Sequence, residues 1–420
     1  MGQESCESST GTVGKGFSPL AGVRVLDFSK ILAGPLCTQY LADLGADVMK
    51  VEPPSGDDTR AWPPFEDGVG TIFLAVNRNK RAIAIDLRKP EGLALCHRLA
   101  RDADVVVESF GPGVADRLGI GFEALRAINP RLVYASISGY GTQGPMKGEK
   151  GYDLIAQAFT GMLALTGQPG GEAARSPFSP VDQATGYHAV IGIMAALMQR
   201  ERTGAGIKIE ASLFDSAVGF LGYFLQSYWQ RGVEPERPGS GHESLCPYQA
   251  FETADKPIIL GVANDSLWQA FCRLAEEPAL AEDPRFATGA NRVANRETIV
   301  PLVATILKGR TSAEWLAQLA EHGIPSSPVN SLGELSRHPH TEASGMILHD
   351  DEFRAVATPL RADGRRLDLK RRPPRIGEHS REILADAGFD TAAAEQLISD
   401  GAVTALSSHP SPPSEKRRVS

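Results

Sequence analysis

The chain has 420 residues, 42% hydrophobic and 22% charged, the balance of a globular protein with room for more than one folding unit. A formal net charge of −8 argues against a nucleic-acid partner, which needs a basic face, so an anionic ligand would need a local basic pocket. Cysteines stand at 6, 37, 96, 246 and 272 with no CxxC spacing, which disfavours a disulfide framework and points to a reducing compartment. The longest apolar run, Ala189 to Met198, is far short of a membrane span, and no hydrophobic leader is visible. The expectation is a cytoplasmic protein with no membrane partner.

Residues 1-18, rich in Ser, Thr and Gly, and 404-420, rich in Ser and Pro, read as disordered tails. From Gly22 a strand–helix alternation begins. Val23–Phe28 is a strand, Gly34–Gly45 a helix and Ala46–Val51 a strand. Ala82–Leu87 is a strand, and Pro90–Arg101 a helix with Pro at its start. Val105–Val107 and Arg131–Ser138 are strands. This spacing predicts βαβ units and a mostly parallel sheet. Leu154–Leu165 and Gln183–Arg200 are predicted helices, the second apolar nearly all round and therefore buried. Ile207–Leu213 is a strand, followed by one aromatic helix through Trp229. A loop-like stretch, 232–247, leads to a smaller unit. There a hairpin turns at Ala254-Asp255-Lys256, and helices follow near 265–275, 293–308 and 311–322. Residues 345–375 read as strand-rich and 378–400 as helical.

Asp182, in Ser179-Pro180-Val181-Asp182-Gln183, stands just ahead of the apolar helix. An Asp there is commonly a helix cap. It also suits a nucleophile, because a helix N-terminus favours the anion. Asp153 has the same ambiguity before Leu154-Ile155. Gly139-Tyr140-Gly141-Thr142-Gln143-Gly144 matches a dinucleotide fingerprint, but Pro145 and a charged stretch follow where a helix should open, and no acidic residue follows at the ribose-binding spacing. A flexible Gly-rich loop is the better reading. His188 reads as packed on its helix. His338 and His340 have nothing nearby to complete a metal site, so no metal is expected. Arg78, Lys80 and Arg81 suit either a solvated loop or a phosphate patch.

Taken together, the segments Leu20–Asp27, Leu44–Glu52, Gly56–Arg60, Asn79–Arg81, Glu108–Gly113 and Arg200–Gly206 resemble the family III CoA-transferases, the group of formyl-CoA transferase and α-methylacyl-CoA racemase. The resemblance covers about residues 19–400. It implies an α/β fold with a Rossmann-like large domain and a smaller α+β domain, in an interlocked homodimer. The large domain would take 19-213, a linker 214-248, the small domain 249-335, and 336-403 would return to the large domain. It places Asp182 as the catalytic Asp. Arg88, Ser109, Phe110, Arg117 and Lys150 to Asp153 fall at CoA-contacting positions, and Leu32-Ala33 near the reacting end. Gly239-Ser240-Gly241-His242 falls near the family's Gly-rich loop.

The implied activity is transfer of CoA from a donor acyl-CoA to a small carboxylic or dicarboxylic acid, with CoA thioester as substrate and no tightly bound cofactor. Asp182 would pass through a mixed anhydride and an aspartyl-CoA thioester. Racemases of the family carry His where this chain has Tyr152, which favours transfer over 2-methylacyl-CoA racemisation. Formyl-CoA transferases carry Gln where this chain has Leu32 and Arg where it has Pro53, so formyl or oxalyl specificity is not carried over. Family habit suggests succinyl-CoA as a donor. An NAD-dependent oxidoreductase built on the Gly139–Gly144 loop is the remaining alternative.

Overall fold

A computed structural model describes residues 16–350 and 353–406. Most of the two predicted tails, 1–15 and 407–420, lies outside the described residues. The described residues form two compact units, one of 16–156, 178–220, 345–350 and 353–406, the other of 157–177 and 221–344.

The first unit is mixed α/β around a seven-stranded sheet. Its strands are β1 (Arg24–Asp27), β2 (Asp47–Glu52), β3 (Arg81–Ile85), β4 (Val105–Glu108), β5 (Val133–Ser138) and β6 (Lys208–Ser212), with one strand from the far end of the chain. The second unit holds β7 (Tyr248–Phe251), β8 (Ile258–Gly261) and β9 (Ser326–Pro328), and β10 (Val403–Thr404) closes the first. The large sheet runs β10-β3-β2-β1-β4-β5-β6, parallel except for β10, which pairs antiparallel with β3.

Side chains alternate between two buried faces, as a parallel sheet covered on both sides requires. Val25, Val48, Val105, Val107, Val133 and Ile137 face one core, and Leu26, Met49, Val51, Ile83, Val106 and Tyr134 the other. Helices α1 (Ala33–Asp43) and α4 (Pro180–Thr203) cover the first face. Helix α2 (Pro90–Arg101), with the helices Ser380–Asp386 and Thr391–Ser399, covers the second.

Glycine sets the spacing of α1 and α4. A Cβ on Gly186 would stand 2.7 Å from the carbonyl oxygen of Ala33. At the other end, Gly204 takes the left-handed conformation (φ 71°) that terminates α4. Just before it, Arg200 pairs with Asp104 at 2.9 Å, which gives the Arg200–Gly206 segment a structural role.

Several expectations are corrected. The helix predicted over Leu154–Leu165 is two, α3 (Asp153–Phe159) and Met162–Leu165, parted by Gly161 at φ 90°. The aromatic helix through Trp229 is also two, α5 (Leu213–Phe220) and Gly222–Arg231. Helix α4 is buried on one side only: Ile191 is 65% and Met198 68% exposed in the single chain. His188 is exposed rather than packed, with Nδ1 2.9 Å from the Ser216 hydroxyl.

In the second unit, β9-β8-β7 form an antiparallel sheet, and the predicted hairpin is β7–β8. Its core is aromatic, with Trp268 stacked on Phe271 and Phe271 on Trp315.

Candidate active site

The order β2-β1-β4 places the topological switch at β1, because the chain leaves β1 to one side for β2 and returns on the other as β4. Open α/β sheets bind ligands outside the carboxyl ends of their strands at such a point. A cleft of about 700 Å³ lies there. Its walls carry the segments that follow β1, β2, β4 and β5, together with the start of α4. Of the residues singled out in the sequence, Leu32, Ala33, Ser109, Phe110, Lys150 and Asp182 meet on these walls. Tyr152 lines it too.

The turn after β1 is held from three sides. Ser109 Oγ accepts the Lys30 N–H at 2.9 Å, and the Lys50 ammonium donates to the Ser29 carbonyl at 3.0 Å. Asp57 Oδ1 faces the Ile31 N–H at 3.5 Å. Ile31 sits at φ 73°, a costly conformation for a β-branched residue that surrounding contacts must impose.

Beneath this turn lies a buried ionic cluster. Asp27 accepts from Lys80 Nζ at 3.0 Å, from Thr38 Oγ1 at 2.5 Å and from the Ser29 hydroxyl. Lys50 pairs with Asp57 at 3.1 Å, and Asp57 in turn takes the Thr59 N–H and hydroxyl. Burial alone would raise the Asp27 carboxyl, but Lys80, Lys50 and the two hydroxyls outweigh it and hold it below the usual range. Burial pulls Lys80 down to about 8, which leaves it charged at neutral pH. Arg78 is buried as well, bound to Asp43 at 2.6 Å. Arg78 and Lys80 therefore belong to the interior and form no phosphate patch, and Arg81 is taken up by Asp47, Glu382 and Asp386.

Asp182 lies in the first turn of α4, two residues inside its start, and does not cap it. The capping position is Ser179, left-handed at φ 51°, with no side-chain cap bond. The first-turn N–H groups turn to Asp153: its Oδ2 accepts the N–H of Val181 at 2.8 Å and of Asp182 at 3.1 Å. Asp153 performs the capping chemistry from another segment. The expectation of a low Asp182 pKa is also corrected. Burial and then the charge of Asp153 push its carboxyl up to about 7. The helix dipole that favours an anion there is outweighed.

The loop bearing Lys150 to Asp153 is pinned by two glycines that leave no room for side chains. A Cβ on Gly139 would lie 2.5 Å from the Gly151 nitrogen, and one on Gly151 2.5 Å from the Gly139 Cα. The GxGxxG segment thus closes a loop after β5. No helix opens after its third glycine, the next starting at Asp153, so the dinucleotide geometry is not built.

The family described as CoA-transferase family III matches residues 20–380. The chain belongs to this family. A protein named acyl-CoA transferase from Fusarium pseudograminearum is 39% identical over 401 residues, spanning 91% of this chain and 88% of its own length. The mouse succinyl-CoA:glutarate CoA-transferase is 36% identical over 409 residues, spanning 96% of this chain and 92% of its own. A crystal structure of a CaiB/BaiF family protein from Brucella suis superposes with a TM-score of 0.81 at 39% identity, covering 89% of this chain and 100% of that one. The chain is therefore a CoA-transferase.

In this family III CoA-transferase the remaining expected contacts are more dispersed. Arg88 lines a second cleft of about 570 Å³ that shares Lys30, Gly56, Asp57, Asp58 and Phe110 with the first. Its side chain is 81% exposed and folded back on Asp86 at 2.8 Å. Arg117 lies on neither wall, although its neighbours Val114 and Leu118 do. Asp153 is buried behind the first cleft rather than on its wall. Gly239–His242 belongs to the second unit, where Gly241 N–H closes a turn on the Pro238 carbonyl.

Sequence reasoning missed Asp57 and Ile31. The Asp57-Asp58-Thr59 pattern of a side-chain turn was a usable signal for Asp57. Nothing local marks Ile31 as left-handed. Among the described residues no group of three His, Cys, Asp or Glu side chains gathers as a metal site, and no helix is long and apolar enough to cross a membrane.

Proposed function

We propose that this enzyme moves CoA from succinyl-CoA to a small dicarboxylic acid such as glutarate, with Asp182 as the nucleophile. The observation that carries the proposal is the presence of Asp182 in one cleft with Leu32, Ala33, Ser109, Phe110 and Lys150. The donor and acceptor follow the name of the mouse relative. The thioester end of the donor occupies the first cleft. The nucleotide end lies toward Arg88 and Pro53 in the second, with Phe110 on the wall they share.

The steps then balance. An Asp182 oxygen attacks the thioester carbonyl, the C–S bond breaks, and CoA thiolate leaves with its electron pair. The thiolate attacks the Asp182 side of the mixed anhydride, releasing the donor acid and leaving an aspartyl-CoA thioester. The acceptor carboxylate attacks that thioester, the C–S bond breaks to expel the thiolate, and a second anhydride forms; the thiolate then attacks the acceptor carbonyl, giving the product thioester and freeing the Asp182 carboxylate. Each intermediate is about as activated as the bond it replaces, so one hard exchange becomes several easier ones. Keeping the thiolate bound makes its return effectively intramolecular. Leu32 gives the reacting end an apolar wall that disfavours water, which would hydrolyse the anhydride.

The exposed apolar side chains of α4, Tyr187, Ile191 and Met198, support an interlocked homodimer in which a second copy covers them. The buried, unpaired cysteines among the described residues fit a cytoplasmic enzyme.

One incubation in D₂O tests the function. It contains succinyl-CoA, a 2-methylacyl-CoA and a pool of small acids, and the CoA esters are read by mass spectrometry. A new, enzyme-dependent acyl-CoA is expected. Deuterium entering the 2-methylacyl-CoA without a new thioester would make the enzyme a racemase instead.

A further inference from the structure

We propose that Ser109 is a positioning residue: its hydroxyl, bound to the backbone of Lys30, holds Ile31 in its left-handed conformation and so sets Leu32 and Ala33 on the cleft wall they share with Asp182. The inference rests on the reading of Asp182 as nucleophile and reassigns Ser109, which the family resemblance placed among the CoA contacts.

The geometry carries it. Ser109 directly follows β4, and its Oγ accepts the Lys30 N–H at 2.9 Å and donates to the Lys30 carbonyl at 3.3 Å. Those two groups belong to successive peptide units, and each unit is also held at its other end. The unit between Ser29 and Lys30 gives its carbonyl to the Lys50 ammonium at 3.0 Å. The unit between Lys30 and Ile31 turns its N–H to Asp57 Oδ1 at 3.5 Å. Ser109 is the group common to both units. The second unit is the plane from which the Ile31 φ of 73° is measured, so fixing it fixes that angle. The chain then doubles back tightly: a Cβ on Gly34 would fall 2.2 Å from the Ser29 Cβ. Beyond the turn, the Ala33 carbonyl packs on Gly186, where an added Cβ would stand 2.7 Å away. Gly186 lies one helical turn after Asp182 on α4. The turn and the helix that bears the nucleophile are therefore in direct contact.

The consequence for the reaction follows from what Ile31 does without the clamp. A β-branched residue disfavours the left-handed region by about tenfold in population. Losing the Ser109 hydroxyl lets Ile31 relax to an ordinary φ, and Leu32 and Ala33 then shift on the wall. Attack on a thioester needs close alignment, and a displacement of about 1 Å can cost up to about 10²-fold. Only the fraction of molecules that keep the turn reacts, so kcat falls with that fraction. Binding of the CoA ester changes little, because its nucleotide end is held in the second cleft. Glycine takes a left-handed φ at little cost, so with Gly at position 31 the clamp has little to oppose.

The test is a double-mutant cycle on the full-length enzyme, with kcat and KM measured for succinyl-CoA and glutarate, or the pair found above. The variants are Ser109→Ala, Ile31→Gly, their combination, and Asp182→Ala. Ser109→Ala should lower kcat about tenfold, with KM for the CoA ester within about twofold. Ile31→Gly also trims the cleft wall and sets its own baseline. Adding Ser109→Ala to that background should cost about twofold or less, so the two changes are coupled by about fivefold or more. An equal loss in both backgrounds would overturn the proposal, because the hydroxyl would not be acting through Ile31. So would a Ser109→Ala enzyme impaired mainly in KM, the signature of a CoA contact. If Ser109→Ala fails to fold, the double variant decides: a folded, active enzyme supports the proposal and an unfolded one overturns it. Activity surviving in Asp182→Ala would sink the underlying mechanism. An inactive Asp182→Ala with uncoupled Ser109 and Ile31 changes would sink the present inference alone.

Discussion

Two carboxylates of the same unit, Asp27 in its interior and Asp182 on the cleft wall, are treated in opposite ways. Asp27 is wholly buried and receives Lys80, with Lys50 as a further neighbouring charge and two hydroxyls, and it is held ionised. Asp182 is pushed up to about 7 by burial and then by the charge of Asp153, the carboxylate that takes its backbone N–H. The contrast separates a structural ion from the carboxyl proposed above as the nucleophile. Charges that hold a fold together are matched with counter-charges, since a buried ion without a partner costs several kcal/mol. The first arrangement braces the turn after β1 against the sheet; the second ends in the cleft.

The largest expected effect comes from removing the reactive side of the comparison. Asp182→Ala should reduce CoA transfer by about 10⁴-fold or more, because in the proposed mechanism its carboxylate carries the acyl group. Equilibrium titration should find CoA-ester binding nearly unchanged. The next effect comes from the matched side. Asp27→Ala removes the carboxylate paired with the buried Lys80 ammonium and should cost about 3–5 kcal/mol in urea unfolding. A loss below about 1 kcal/mol would mean the cluster is not the brace described above.

Much of this was legible before any coordinates. The β-branched runs at Val23–Phe28 and Val105–Val107 became sheet strands, and Pro90 marked the start of its helix to the residue. Asp182, Ser109 and Phe110, far apart in the sequence and singled out there, line one cleft. Less visible was anything that depends on long-range contact. The cap of α4 comes from Asp153, 28 residues before Val181, so no local pattern around Ser179 announces it. The triplet Arg78, Lys80 and Arg81 suited either a solvated loop or a phosphate patch, because its counter-charges, Asp43, Asp27 and Asp47, lie in earlier elements. Helix breaks at Gly161 and after Phe220 were hidden within apolar runs that could equally continue. Strand β10 has two residues and exists only because it reaches the free edge of β3.

A third prediction reverses the sign of the usual substitution effect. Below about pH 4, Asp182 is protonated whether the chain is folded or not. Between about 4 and 7 the unfolded chain loses that proton while the folded chain keeps it, so stability falls as pH rises through this window and stays lower above it. Asp182→Asn should therefore raise Tm at pH 8, by an amount worth a few kcal/mol at most, and leave it unchanged at pH 4. Thermal unfolding at the two pH values checks it, and destabilisation at pH 8 would contradict the environment assigned to this carboxyl. The smallest effect belongs to the matched side. Thr38→Val removes one hydroxyl from Asp27 and should cost about 1–2 kcal/mol in urea unfolding.

The central claim is that Asp182 carries CoA covalently, and the most direct measurement is the mass of the enzyme itself. Enzyme incubated with succinyl-CoA, quenched in acid and digested should show the Asp182 peptide heavier by CoA less water. The adduct should be removed by hydroxylamine and absent from Asp182→Ala. An unmodified Asp182 peptide during active turnover, or the adduct on any other residue, would contradict the account.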